Sequence, residues 1–197
     1  MITTDTENKK NNILARAVQL FSQKGYEGVS VREIAEASDC NLAAISYYFG
    51  GKEKLYEVCA NLISPDEVND VCISLTAPKS REDFTQKVAL FSKDLCRLIR
   101  KHSKVIRIHI NRFNAQEQFV TDLDETVLGP TYKSVRNFLN EGEKLSIVRK
   151  NINDRFQSRT LVSIILSEVI YHGVGSTDEE LENFSQELAK SFTNAVS

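Results

Sequence analysis

Between residues 30 and 52 the sequence places hydroxyls at Ser30, Ser46, Tyr47 and Tyr48, cations at Arg32 and Lys52, and a carboxamide at Asn41. Ser30-Val-Arg-Glu33 has the spacing of a capping box, in which the serine hydroxyl accepts from the Glu33 amide while Glu33 reaches back. Asn41 follows the polar break Ser38-Asp-Cys40 and suits the N-cap of a helix running through Phe49. Gly50-Gly51 stops that helix and Lys52 opens the next. An ammonium at a helix start, beside exposed backbone amides, is suited to clamping a phosphate. With Ile45 and Phe49 turned inward, Leu42, Ala43, Ala44, Ser46 and Tyr47 are left to face outward. Their carbon groups offer apolar contact, and the Ser46 hydroxyl can donate or accept a hydrogen bond.

Bond-making chemistry has no comparable set. There is no phosphate-cradling glycine loop, no nucleophile elbow and no metal-ligand cluster, and the spacing of His102, His109 and His172 suggests no catalytic set. Glu168 and His172, four residues apart, are a lone pair and a weak metal signal. The four cysteines (Cys40, Cys59, Cys72, Cys96) form no CxxC and read as buried, reduced thiols. We expect no enzyme, no cofactor and no metal.

The elements that must position these residues are helical. The 197-residue chain has 3 Pro and 8 Gly and no alternating strand pattern, and its apolar residues recur at three and four. Ile13, Leu14, Ala17, Leu20 and Phe21 form one face of a first helix, ended by Gly25 in the C′ role. Val31, Ile34 and Ala35 face inward on the short helix after Ser30. Leu55, Val58, Cys59 and Leu62 share a face of a helix from Lys52 to about Ile63. Further helices are expected between Pro65 and Pro78, over about 80–100 after Ser80, over 103–114, and over 118–141 before Gly142. Asn153-Asp154 caps a strongly apolar helix ending at Gly173, and a capping box at Thr177–Glu180 launches the last.

Charge argues for arrangement over bulk attraction. The net charge is −2, and residues 1–60 hold seven Lys/Arg against eight Asp/Glu. A polyanion would have to be met by a few cations placed on one face. Lys52, Arg32 and the N-terminal Lys9-Lys10 are the expected sources of that grip. No stretch is apolar enough for a membrane helix, and the polar N-terminus MITTDTENKKNN lacks a secretory pattern, so a cytoplasmic protein is expected.

The runs Phe21-Ser-Gln-Lys-Gly-Tyr-Glu-Gly-Val-Ser30, Val31 through the Tyr47-Tyr48-Phe49 that closes the third helix, and Lys52-Glu-Lys-Leu55 closely resemble the N-terminal domain of the TetR family. The resemblance covers about the first sixty residues; the rest is similar only in length and helical character. It implies an all-α protein: a three-helix helix-turn-helix DNA-binding domain over 1–60 and a larger helical effector-binding and dimerisation domain over 61–197. A helix-turn-helix lays its second helix in the major groove while flanking residues hold phosphates. The family pattern puts Ser30, Arg32, Tyr47, Tyr48 and Lys52 at phosphates. Two departures stand out: Asp39 replaces the glycine common in the turn, and the recognition helix has no Lys or Arg, so specificity leans on hydroxyl, apolar and shape readout.

The implied function is transcriptional regulation, with repression at a palindromic operator relieved by a small-molecule effector; the alternative is an activator or chromosome-organising protein without effector gating. Leu161–Ile170 is almost continuously apolar, and with the helix near 120–141 it is expected to form a four-helix homodimer interface. Two-fold symmetry would set half-sites about one helical turn (~34–36 Å), or a multiple, apart on double-stranded DNA. Phe84, Val88, Phe91, Leu95, Ile106, Ile110, Phe113 and Phe138 are candidate effector-lining residues. Arg107 belongs to a basic cluster from Arg97 to Arg112, in which Arg100, Lys104 and Arg107 fall on one helical face, suited to an anionic effector or to pairing with Asp122, Asp124 and Glu125. Effector binding is expected to move the helix near 81–100 and so change the spacing of the recognition helices.

Overall fold

The protein, seen here as a computed structural model, is described over residues 2–115, 126–173 and 177–197. Every regular element among them is helical, so the fold is all-α. The chain divides into two compact units, one of Met1–Ile63 with His102–Thr121 and one of Ser64–Lys101 with Asp122–Ser197.

The first unit contains α1 (Ile2–Lys24), α2 (Val31–Ala37), α3 (Leu42–Phe49), α4 (Lys52–Ala60) and α7 (Ser103–Ala115). Its core is the apolar stripe expected of α1 meeting those of its neighbours: Ile13, Ala17, Phe21, Ile34, Ile45, Leu55 and Cys59 are all at most 1% exposed. Each large side chain so buried contributes about 1.5–3 kcal/mol relative to exposure. Gly25 ends α1 at φ 68°, its amide donating to the Phe21 carbonyl at 3.0 Å. Phe21, Tyr26 and Tyr56 form an edge-on aromatic cluster with centroids 5.0 and 5.1 Å apart around Tyr56. α7 packs against α1 and α4. The Asn111 amide donates to the Ser22 carbonyl at 3.2 Å, and His109 Nε2 lies 2.9 Å from the Ala60 carbonyl. α4 is shorter than its apolar spacing predicts: Asn61 caps it, and Val58 and Leu62 are 40% and 38% exposed.

The second unit contains α5 (Pro65–Val71), α6 (Arg81–Lys101), α8 (Gly129–Lys144), α9 (Asp154–Ser167) and α10 (Asp178–Val196). The Ser80 hydroxyl accepts from the Asp83 amide at 3.1 Å and so opens α6. Phe84, Val88, Phe91 and Leu95 are fully buried along that helix. α6 packs along α10, tied by Thr85–Thr193 hydroxyls at 3.0 Å, Arg81 to Asn194 at 2.9 Å, and a Lys93–Glu182 ion pair. The Thr177–Glu180 capping box opens α10, and a second box that the sequence reading passed over, Ser64–Glu67, opens α5.

Three expectations change. The helix drawn over 118–141 begins at Gly129 and runs through Gly142 to Lys144; its stretch 118–125 lies outside the described residues. Pro130, which cannot donate inside a helix, sits in the first turn, where no donation is needed. The apolar segment 161–170 does not run as one α-helix: α9 ends at Ser167 and a π-helical turn, Glu168–His172, carries the chain to Gly173 at φ 71°. Leu161, Val162, Ile165, Val169 and Ile170 are buried, while Ile164 stays 38% exposed and Leu166 half-buried. Arg100 is on α6 and Lys104 and Arg107 are on α7, so the three do not share one helical face. Among the described residues, no helix is long and apolar enough to cross a membrane and no three His, Cys, Asp or Glu side chains are grouped to hold a metal ion.

Candidate nucleic-acid interface

Local chemistry builds the α2–turn–α3 unit in sequence order. The Ser30 hydroxyl accepts from the Glu33 amide at 3.1 Å. The expected return contact is replaced, because the Glu33 carboxylate pairs with Lys24 at the end of α1. That hydrogen bond holds the Glu33 carboxyl below its ordinary range and ties α2 to α1. The turn after α2 is over-determined. Ser38 donates through its hydroxyl to the Ile34 carbonyl at 2.5 Å, and its own carbonyl accepts from Asn12 on α1 at 2.8 Å. Asp39 takes the left-handed conformation at φ 51°, which explains why glycine is common at this position; Asp tolerates it better than most residues. The Cys40 amide then donates to the Ala35 carbonyl at 3.0 Å.

Asn41 caps α3 as expected, accepting from the Ala44 amide at 2.9 Å. Ile45 and Phe49 are buried and lock α3 down, at 0% and 7% exposed. The opposite face holds Leu42 at 52% and Tyr47 at 81%, with Ala43 and Ser46 exposed and Ala44 and Tyr48 half-buried. Tyr47 is the most exposed large hydrophobic side chain among the described residues. Its ring meets that of Tyr48 edge-on, with centroids 5.0 Å apart. Gly50 closes α3 at φ 75° and Gly51 follows at φ 116°, conformations that admit glycine without strain.

The cations flank this face in different states. Lys52 opens α4, half-buried, with its ammonium 4.0 Å from the centroid of the Tyr26 ring. Arg32 on α2 is exposed and pairs with Glu36 at 2.8 Å. An exposed pair of this kind contributes little and is easily exchanged for another anion. Lys10 and Lys54 line an open cavity of about 550 Å³ with Tyr48, Phe49, Val58 and Leu62, and Lys10 stands 5.8 Å from the Phe49 ring centroid. Sequence reasoning singled out Lys10 for its charge and passed over Lys54. The signal for Lys54 was present in its position one turn before Val58.

The candidate effector residues fall in both units. Phe84, Phe91 and Phe138 are core side chains of the second, at most 2% exposed, with Phe84 stacked on Phe138 at 4.6 Å. Arg107 is exposed and Ile110 half-buried on α7 of the first. Phe113 lies on the same helix with its side chain outside the described residues, as are the side chain of Arg112 and all of Asp122, Asp124 and Glu125.

A capped helix seated by its apolar face, preceded by a fixed turn and a shorter helix, is the arrangement of a helix-turn-helix DNA-binding domain. Residues 13–59 match the family model "Bacterial regulatory proteins, tetR family". The "Probable HTH-type transcriptional regulator YttP" of Bacillus subtilis is 30% identical over 141 residues, 68% of this chain; the chain spans 65% of that relative's length. The "Biofilm operon icaADBC HTH-type negative transcriptional regulator IcaR" of Staphylococcus aureus is 24% identical over 91% of this chain and 94% of its own. Among solved structures, the TetR family transcriptional regulator PfmR from Thermus thermophilus superposes with a TM-score of 0.66 at 17% identity, covering 94% of this chain and 95% of that one. Residues 13–59 thus form a domain of the tetR family of bacterial regulatory proteins, and the described residues share the fold of solved TetR-family regulators.

Proposed function

We propose that this protein is a transcriptional repressor that binds a palindromic operator as a homodimer and releases it when a small molecule binds. The observation that carries the reading is the free face of α3, where Leu42, Ala43, Ser46 and Tyr47 project from a helix whose other side is locked into the core. In this reading α3 enters the major groove. Ser30, Arg32, Tyr47, Tyr48 and Lys52 meet phosphates on either side, and Asn41 sets the start of the reading helix. Repression is the role named for IcaR, a relative that matches over nearly its whole length. Binding to the cell's DNA puts the protein in the cytoplasm.

Residues 1–60 carry DNA recognition in this reading, and 61–197 carry dimerisation and effector binding. Phe156 and Ile164 on α9 and Tyr171 on the π turn are 61%, 38% and 65% exposed. Large apolar side chains left open in this way favour a partner surface, here the same helix of a second copy. Phe84, Phe91 and Phe138 are assigned to the effector region. Opening the Phe84–Phe138 stack for a ligand would give it different affinities for two states, as any effector requires.

The test is to sequence the DNA that the purified protein selects from a random pool, with and without small-molecule extract from cells. One two-fold-symmetric site, lost when extract is added, is the expected result. Selection unaffected by every ligand tried would remove effector release. Many unrelated sites would indicate a chromosome-organising protein, and no selected DNA would end the reading.

A further inference from the structure

The bases that α3 can tell apart follow from what its exposed face offers, given the groove placement proposed above. In the major groove, guanine is picked out by Arg or Lys across O6 and N7, adenine by Asn or Gln across N6 and N7, and cytosine by a carboxylate at N4. The run Leu42–Phe49 contains none of these side chains. Asn41 stands just before it, but its carboxamide is oriented by the cap, the oxygen accepting from the Ala44 amide at 2.9 Å. Lys52 lies over Tyr26, and Arg32 pairs with Glu36 on α2. The Ser46 and Tyr47 hydroxyls can serve donors and acceptors alike and discriminate weakly.

What remains is exposed carbon. Leu42 is 52% exposed at the first residue of α3, with Ala43 exposed beside it, and thymine is the one base carrying an apolar group in the major groove. We infer that α3 is a methyl reader: Leu42 and Ala43 specify thymine by covering its C5-methyl group, so each half-site carries A·T pairs beneath the start of the helix. The Tyr47 ring, one turn after Ala43, meets that of Tyr48 edge-on.

The test uses the full-length protein and the site it selects from a random pool. Each thymine in the half-site is replaced in turn by deoxyuridine, which removes only the methyl group. At the one or two positions under Leu42 and Ala43, affinity is expected to fall about fourfold per methyl, the factor corresponding to one buried carbon. Replacement elsewhere should have little effect. Placing 5-methylcytosine where cytosine has been substituted for one of these thymines should restore part of the loss. In Leu42→Ala, which alters an exposed residue and should fold normally, the deoxyuridine penalty should shrink. A selected half-site that lacks thymine there, or that binds equally with deoxyuridine throughout, overturns the methyl reading and leaves DNA binding intact. Failure to select any DNA overturns both.

Discussion

Lys52 and Tyr26 join the start of α4 to the loop after α1, with the ammonium 4.0 Å from the centroid of the phenol ring. A cation at a helix N-terminus meets the positive end of the helix dipole, which is unfavourable by itself. The ring face offsets this by attracting the ammonium, about 0.5–2 kcal/mol depending on solvation. In the proposed reading the ammonium held there meets a phosphate oxygen. Lys52→Ala should weaken binding to all DNA sequences and lower the slope of log affinity against log salt by about 1 per half-site. Tyr26→Leu keeps the charge, so affinity should fall severalfold with the slope unchanged. Anisotropy titrations across a salt series separate the two, and equal slopes for wild type and Lys52→Ala would remove Lys52 from the interface.

Asn41 provides the side-chain cap of α3, through its 2.9 Å bond from the Ala44 amide. Asn41→Ala should cost about 1 kcal/mol, within a range of about 0.5–2. In a chain of this size that lowers Tm by roughly 2–4 °C. Asn41→Asp should retain most of the stability, because the cap needs only an acceptor oxygen. Thermal melts of the two variants give the comparison, and identical melting would deny the cap any role.

Two glycines make opposite steric arguments. Gly50 stands at φ 75°, where a side chain is strained, but a Cβ there would meet only the flexible Lys54 chain at 2.9 Å. Gly50→Ala should therefore cost about 1–2 kcal/mol, nearly all of it backbone strain. Gly142 has ordinary backbone angles, yet a Cβ would lie 2.7 Å from Val148 Cγ2 in the core. Gly142→Ala should cost about 1–3 kcal/mol through overpacking. Pairing it with Val148→Ala should recover part of that loss, while no such rescue is expected for Gly50→Ala with Lys54→Ala. Denaturant unfolding of the single and paired variants decides both claims.

Burial pushes the thiols of Cys59 and Cys96 up to about 12. The thiolate is the reactive form, so neither residue should react with iodoacetamide in the native protein near pH 8. Both should become labelled once denaturant unfolds the chain. Mass spectrometry of peptides after timed labelling reads this out, and rapid native labelling of Cys59 would contradict the packing of α4 in the first unit.

The caps were legible because they are local. Asn41, Ser80 and Thr177 each satisfy a backbone amide within three residues, and the chemistry of that bond is fixed by residue type alone. The inward faces of α1 and α6 were legible for the same kind of reason, since helical spacing brings Ile13, Ala17 and Phe21, or Phe84, Val88 and Phe91, onto one side. The resemblance read in the first sixty residues agrees with the family model matched over residues 13–59.

Competition between partners was not legible. Glu33 had the spacing to return to Ser30 and instead pairs with Lys24, a cation brought to it by the end of α1. Val58 and Leu62 were expected on one face, but α4 ends before Leu62 and both stay 40% and 38% exposed beside an open cavity. The sequence by itself determined an all-α chain, the caps at Asn41, Ser80 and Thr177, and an α3 free of cations. Only the tertiary structure decided that Lys52 rests on Tyr26 and that the 161–170 run breaks into a π turn at Glu168. Spacing along the chain states which side chains share a face; which of those faces is covered, and by what, depends on residues far away in sequence.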